Sequence, residues 1–195
     1  RFALGLLLLA ALLVGMTLAR LAGLTGRTNG SAAGVLGTPV LSLPSGVQPD
    51  AGAQVTIPVQ LAAGGTSVSS VLFSLDIDQA CLVFDPADAN RDGRPDAITI
   101  SAPPAFSASV AYDAADLDGE LDFIIADYSP PYATLPGGVL ATIRLGVACR
   151  PASGDSLVLP LPFSQAPAAS FATPSGSALH GVTVDGSILV DGSVA

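Results

Sequence analysis

The stretch Ser67–Asp78 reads SVSSVLFSLDID, and it decides the class of fold. From Val71 to Ile77 every second residue is large and apolar, and Ser74 and Asp76 occupy two of the positions between. Successive side chains of a β-strand point to opposite faces, so a period of two predicts a strand with one buried face. The stretch is therefore predicted to be a half-buried strand and not an amphipathic helix.

The same alternation recurs along the rest of the chain. It is found at Val55–Leu61, Leu121–Ile125, Val139–Val147 and Leu157–Phe163, with shorter runs at Val182–Val184 and Ile188–Val190. Pro160 and Pro162 predict that the run containing them is an edge strand or a broken strand, because proline cannot donate to a ladder. One apolar face per strand suits two packed sheets, so we predict an all-β sandwich of about eight or nine strands.

Several of these runs resemble, in order, the strands of cohesin modules. AQVTIPVQL at 53–61 and then Ser67–Asp78 are similar to the first strands of that family, and Leu82–Phe84 is similar to the turn after them. DFIIADY at 122–128, GGVLATIRLGV at 137–147 and GSILV at 186–190 are similar to its later strands. The resemblance covers residues 39–191 and implies a nine-stranded jelly-roll sandwich, related to carbohydrate-binding modules. It also implies a dockerin-type protein as a partner.

The N-terminal segment Phe2–Ala19 carries no charge and lies between Arg1 and Arg20. As a helix it would be roughly 27 Å long, close to the hydrocarbon thickness of a bilayer. A secretory signal peptide, a membrane anchor and a helix buried in a filament core all fit this pattern. We favour retention, with residues 1–24 as a hydrophobic helix, 25–38 as a flexible linker and 39–195 as the sandwich.

An apolar N-terminal helix followed by an all-β head resembles type IV pilins, especially archaeal ones. The chain departs from the bacterial pattern at Arg1 and Gly5, where that pattern has Phe and Glu. The resemblance implies a structural subunit of an extracellular cell-surface filament, which reaches the filament from the membrane and forms homo-oligomers through its helix. The alternative is a membrane-anchored, cohesin-like module that binds a dockerin-type protein or a glycan.

The charge balance is strongly acidic, with a net charge of −9 and seven basic residues, all of them Arg. This charge argues against binding to nucleic acid or anionic lipid and favours cations. Eleven of the fifteen Asp residues lie between Asp76 and Asp127. Such clustering exceeds what solubility requires, so we expect a local role for this part of the chain.

The segment 88–96, DANRDGRPD, predicts a calcium loop. Oxygen donors at positions 1, 3, 5, 7 and 9, with Gly93 at position 6, match the way a tight loop surrounds Ca²⁺. Position 12 is Thr99, so the segment is no EF-hand and resembles the calcium loops of dockerins and thrombospondin-type repeats. Asp85 could complete the coordination shell, and a plain polar turn is the alternative. The predicted ligands are Asp88, Asn90, Asp92, Arg94 through its carbonyl, and Asp96.

A second acidic segment, Asp113–Asp122, does not have this spacing. Asp118-Gly119 between two alternating runs is typical of a hairpin turn, and we prefer that interpretation to a second metal site.

Cys81 and Cys149 each end a strand-like run and are not arranged as Cys-x-x-Cys. We predict a structural disulfide formed in an oxidising compartment, with a reactive pair as the alternative. His180 is the sole histidine, and we expect it in an exposed loop. No nucleophile–base pair or phosphate-binding loop is evident, so we predict that the protein is not an enzyme.

Overall fold

The computed structural model describes residues 37–49, 53–112 and 119–192, and these form strands joined by turns and loops. The described residues contain thirteen strands: β1 Val40–Ser42, β2 Gln54–Ala62, β3 Ser70–Asp76, β4 Leu82–Val83, β5 Ile98–Ile100, β6 Ser107–Tyr112, β7 Glu120–Ala126, β8 Gly138–Val147, β9 Ser156–Leu161, β10 Ser170–Ala172, β11 Ala178–Leu179, β12 Val182–Val184 and β13 Gly186–Asp191. The number exceeds the predicted eight or nine because several of the strands are only two or three residues long. The all-β prediction is confirmed for this part of the chain.

The strands form two main sheets and a two-stranded ribbon. The six-stranded sheet has the order β12-β1-β2-β8-β4, and β5 also pairs with β8. The five-stranded sheet has the order β11-β10-β3-β7-β6, and β9 pairs with β13 in the ribbon. Neighbouring strands are antiparallel except β1 and β12, which are parallel.

The core lies between the two main sheets and is built by the alternation seen in the sequence. On β3 the buried residues Val71, Phe73 and Leu75 all point inward, and Val55, Ile57 and Val59 do so on β2. The Phe73 ring stacks on that of Phe123 with centroids 4.7 Å apart. Burial of each such side chain contributes about 1.5–3 kcal/mol, so these inward faces hold the sheets together.

Pro160 lies within β9, a strand that pairs only with β13 among the described residues. β9 ends at Leu161, directly before Pro162. The run therefore forms an edge strand, the first of the two predicted alternatives.

The predicted N-terminal helix and nearly all of the predicted linker lie outside the described residues, as do Asp113, Asp116 and Asp118 of the second acidic segment. Within the described ranges, no helix is long and apolar enough to span a lipid bilayer.

Candidate partner-binding face and acidic loop

The predicted calcium loop connects two short strands that lie along the same edge of β8. β4 pairs with Gly146 and Val147, whereas β5 pairs with the segment Ala141–Ile143. β4 and β5 are thus two pieces of one interrupted edge strand, and residues 84–97 leave the sheet between them. Arg144 binds the end of this loop, where the chain returns to the sheet. Its backbone N–H donates to the Ala97 carbonyl, and its Nη2 donates to the Asp96 carbonyl at 2.7 Å.

Side-chain oxygens fold this loop back on itself. Asp88 accepts from the backbone N–H of Asp92 through Oδ1 at 3.1 Å and from that of Gly93 through Oδ2 at 2.9 Å. The Asn90 amide oxygen also accepts from the Asp92 N–H, at 2.8 Å. Gly93 has a φ of +84°, which side-chain-bearing residues rarely adopt, so a glycine is required at this turn.

Asp92 and Asp96 are held by groups within or beside the loop. Arg94 donates to Asp92 through Nη2 at 3.0 Å and through its backbone N–H at 3.0 Å. The Arg94 side chain thereby lowers the pKa of the Asp92 carboxyl below its ordinary value of 3.8. The Asp96 carboxylate accepts from the Ala89 N–H at 2.9 Å.

The structure thus brings all five predicted ligands into one small loop, but backbone amides and Arg94 engage the side-chain oxygens. Asp85 accepts instead from Ala87 in a turn of its own. Carboxylate and amide oxygens are the donors that Ca²⁺ prefers. In the described ranges, however, no group of three or more His, Cys, Asp or Glu side chains is placed to hold a metal ion. Calcium binding stays a prediction.

A disulfide joins Cys81, just before β4, to Cys149, just after β8. The two Cα atoms are 4.7 Å apart, and 68 residues separate the cysteines in sequence. The disulfide thus joins the start of β4 to the end of β8 beside the acidic loop. The two strands pair there through only two residues of β4.

The outward face of the five-stranded sheet has an apolar centre. Leu72 on β3 lies opposite Ile124 on β7, and Ser109 on β6 lies beyond Ile124 in the same row. Ile124 is 38% exposed although its neighbours Phe123 and Ile125 are completely buried. Ser107 and Ala111 are also exposed on this face, so its β6 side is flat and lined by small side chains.

Acidic residues lie at one end of the same face. Asp76 on β3 lies directly opposite Glu120 on β7, and the next row contains Ser74 and Asp122. The Ser74 hydroxyl donates to the Asp122 carboxylate. Glu120 Oε1 is buried and has no hydrogen-bond partner in the described part of the chain. Among the described residues the one ion pair is that of Arg94 with Asp92, so these acids are not neutralised by an arginine there.

At the opposite end of β7, Asp127 organises a loop that exposes two tyrosines. Its carboxylate accepts from the N–H groups of Ala133 at 2.6 Å and Ser129 at 2.9 Å, and these bonds lower the pKa of Asp127. Tyr128 and Tyr132 are 67% and 45% exposed. Sequence reasoning missed the role of Asp127, although an Asp that precedes a Ser-Pro-Pro turn is a recognisable signal.

His180 is exposed, as expected for a loop residue. Gly119 has a φ of +64°, and the strands before and after the second acidic segment pair antiparallel. β6 and β7 thus form a hairpin, but residues 113–118 of its connection lie outside the described residues, so a turn at Asp118-Gly119 stays a prediction.

No protein-family model matches the sequence, and no curated protein is significantly similar to it. Solved structures are similar to it in fold. The sixth cohesin of Acetivibrio cellulolyticus scaffoldin B, solved in complex with a Cel5 dockerin, is 20% identical; the match covers 80% of this chain and 100% of that one, with a TM-score of 0.56.

Two further cohesins extend the similarity. The OlpC cohesin of Clostridium thermocellum, in complex with the dockerin Doc435, is 17% identical over 79% of this chain and 94% of that one, with a TM-score of 0.58. The third ScaB cohesin of R. flavefaciens, in complex with a group 1 dockerin, is 17% identical over 80% and 97%, with a TM-score of 0.51. The described part of the chain therefore has a cohesin-like β-sandwich fold.

Proposed function

We propose that the chain is a non-enzymatic, extracellular binding module that captures a dockerin-type protein on the outward face of its five-stranded sheet. The observation that carries the proposal is this face itself, which presents an exposed apolar centre on a fold similar to modules solved with dockerins. The disulfide fits an oxidising environment outside the cytoplasm.

Both main sheets expose apolar side chains on their outward sides. In the six-stranded sheet these lie on β4, β8 and β12, and the exposed residues of the central strand β2 are polar: Val83, Val139, Val182 and Val184 against Gln54, Thr56 and Gln60. In the five-stranded sheet the exposed apolar residue Ile124 lies in the middle of β7 with Leu72 directly beside it, so this face has its apolar residues at the centre. Exposed apolar side chains on a flat surface with polar margins are typical of protein–protein contacts.

The charges of the face define the chemistry of the partner. Asp76, Glu120 and Asp122 lie together at one end, and a basic side chain of the partner would neutralise them. The partner surface that fits best is an apolar patch, such as the face of a helix, with Arg or Lys at one side. Loss of a charge at this end is then expected to slow association and to weaken the salt dependence of binding.

The test is calorimetric titration of the full chain with each dockerin-type module encoded in the genome of the source organism. Saturable binding to at least one of them, with a stoichiometry of one, is expected. A complete lack of binding to all of them would contradict the proposal, and binding to oligosaccharides in their place would support the glycan alternative.

The filament prediction rests on the uncharged segment Phe2–Ala19, which lies outside the described residues. We propose it as a second candidate function, because a segment of this length and composition needs lipid or other apolar helices around it. Negative-stain microscopy of native cell-surface material tests the filament role. Filaments labelled by an antibody to the sandwich would support this role, and label confined to the cell envelope would contradict it.

We also propose that Ca²⁺ stiffens the loop 88–96 by neutralising Asp88 and Asp96. Asp92 already has Arg94 as a counter-charge. The role would be structural, because the loop lies beside the sheet edge and not on the proposed binding face.

A further inference from the structure

Strand β6 forms one edge of the five-stranded sheet, and its outer side pairs with no strand of the described ranges. Ser107–Tyr112 pairs with β7 alone among the described residues. No backbone hydrogen bond to any other described segment involves a residue of β6. The outer N–H and C=O groups of this strand are therefore available for pairing.

The other edges of the described sheets are protected in recognisable ways. β9 carries Pro160, which cannot donate to a ladder, and β11 and β12 are only two and three residues long. The second side of β13 is hydrogen-bonded to the segment Pro44–Val47. The edge formed by β4 and β5 is interrupted by the acidic loop. Natural proteins use such short strands, prolines and charges to prevent strand addition. β6 has six residues and contains neither Pro nor a charged side chain.

We infer that β6 pairs antiparallel with β6 of a second copy of the chain, around a two-fold axis perpendicular to the sheet at Ser109. In antiparallel pairing, opposite residues point to the same face. An axis at Ser109 therefore places Ser109 opposite Ser109 of the second copy, Ser107 opposite its Ala111, and Ala108 opposite its Val110. These pairs are uncharged and none of their side chains is larger than that of valine, whereas Tyr112 at the end of β6 lies opposite Phe106 of the second copy.

The lack of charge on β6 distinguishes this edge from the rest of the surface. The chain has a net charge of −9, so two copies repel each other across most of their surfaces. β6 is an uncharged segment that two copies can share without placing like charges opposite each other.

Pairing of this kind joins two five-stranded sheets into a continuous one. Because the axis is perpendicular to the sheet, the outward faces of both copies point to the same side. This arrangement of the pair does not depend on what the faces bind.

The test is disulfide cross-linking of two variants of the full chain, Ser109→Cys and Ser107→Cys. Each variant adds one cysteine and keeps the native pair. Both native cysteines are in a disulfide, and both serines are exposed. Directly opposite Cβ atoms in an antiparallel pair are about 4.5–5.5 Å apart, within reach of a disulfide after small adjustments. The two Ser107 residues are four positions out of register, which separates them by roughly 14 Å. After mild oxidation, a covalent dimer is expected for Ser109→Cys and monomer for Ser107→Cys on a non-reducing gel.

A thiol-reactive dye, applied before oxidation, verifies that both new cysteines are accessible. Cross-linking of both variants to the same extent would show random collision or association elsewhere on the chain, and would overturn the inference. Failure of Ser109→Cys to cross-link at concentrations well above those in which the protein is purified would overturn it equally. Neither outcome bears on the capture of a dockerin-type partner, which is measured separately by calorimetry.

Discussion

Asp76 on β3 and Glu120 on β7 lie directly opposite each other in antiparallel register, so two carboxylates share one end of the outward face. Like charges in this position destabilise a sheet, and Glu120 Oε1 has no hydrogen-bond partner among the described residues that would offset the cost. We therefore expect Glu120→Gln to stabilise the isolated protein by about 0.2–1 kcal/mol at low ionic strength. Urea denaturation at low and high salt measures the effect, which should shrink as salt screens the repulsion.

Asp155→Asn is the matched control, because it removes one negative charge from an exposed loop. A gain in stability equal to that of Glu120→Gln would assign the effect to net charge and not to the opposed pair. A loss of stability in Glu120→Gln would show that the carboxylate has a favourable partner in solution.

The disulfide should be a major source of stability. Replacement of both Cys81 and Cys149 by Ala is expected to lower the free energy of unfolding by about 4 kcal/mol, the chain-entropy value for a loop of this length. Chemical denaturation of the double variant, compared with the wild type with and without reductant, measures the loss. Unchanged stability in both comparisons would contradict the prediction.

Asp127 should stabilise the protein in a pH-dependent way. Two backbone N–H groups donate to its carboxylate and hold its pKa below the ordinary value of 3.8. The stabilisation is therefore complete above that value and is lost as the pH falls through the lower pKa of the folded state. We expect Asp127→Asn to lower the melting temperature by a few degrees at pH 7, with a smaller difference near pH 2. A difference independent of pH would assign the effect to packing.

Calcium should raise the melting temperature if the loop 88–96 binds it. We expect chelation with EGTA to lower the melting temperature of the wild type by several degrees and to have no effect on Asp88→Ala, which lacks a predicted ligand and the carboxylate that accepts from the Asp92 and Gly93 amides. Elemental analysis of the purified protein supplies an independent measurement. A melting temperature of the wild type that EGTA leaves unchanged, together with no bound metal, would contradict the prediction.

The sequence was sufficient to predict the buried faces of the long strands. Val55, Ile57, Phe73 and Phe123 alternate with other residues and are all buried, because a period of two assigns each position to a face. A strand of two residues such as β4 is too short to show an alternation of apolar and polar residues. The pairing of β4 with β8 therefore could not be predicted.

The features that define the candidate face depend on register, which the sequence leaves open. The alternation assigns Ile125 to the buried face and Ile124 to the outward face, but it does not show that Leu72 lies opposite Ile124. The opposition of Asp76 and Glu120 likewise exists only in one alignment of β3 with β7. The acidic loop was located correctly from its spacing, whereas the use of its oxygens by backbone amides and Arg94 depends on the folded geometry.

The most direct test of the proposed binding face compares two variants with the dockerin-type module that binds the wild type. Ile124→Asp places a charge in the apolar centre of the five-stranded sheet, whereas Thr56→Asp places the same charge on the exposed side of β2 in the other sheet. We expect calorimetry to show affinity weakened at least about tenfold, roughly 1.4 kcal/mol, for Ile124→Asp and unchanged affinity for Thr56→Asp. Equal affinities of Ile124→Asp and the wild type, with both proteins folded, would contradict the proposal that the partner binds this face.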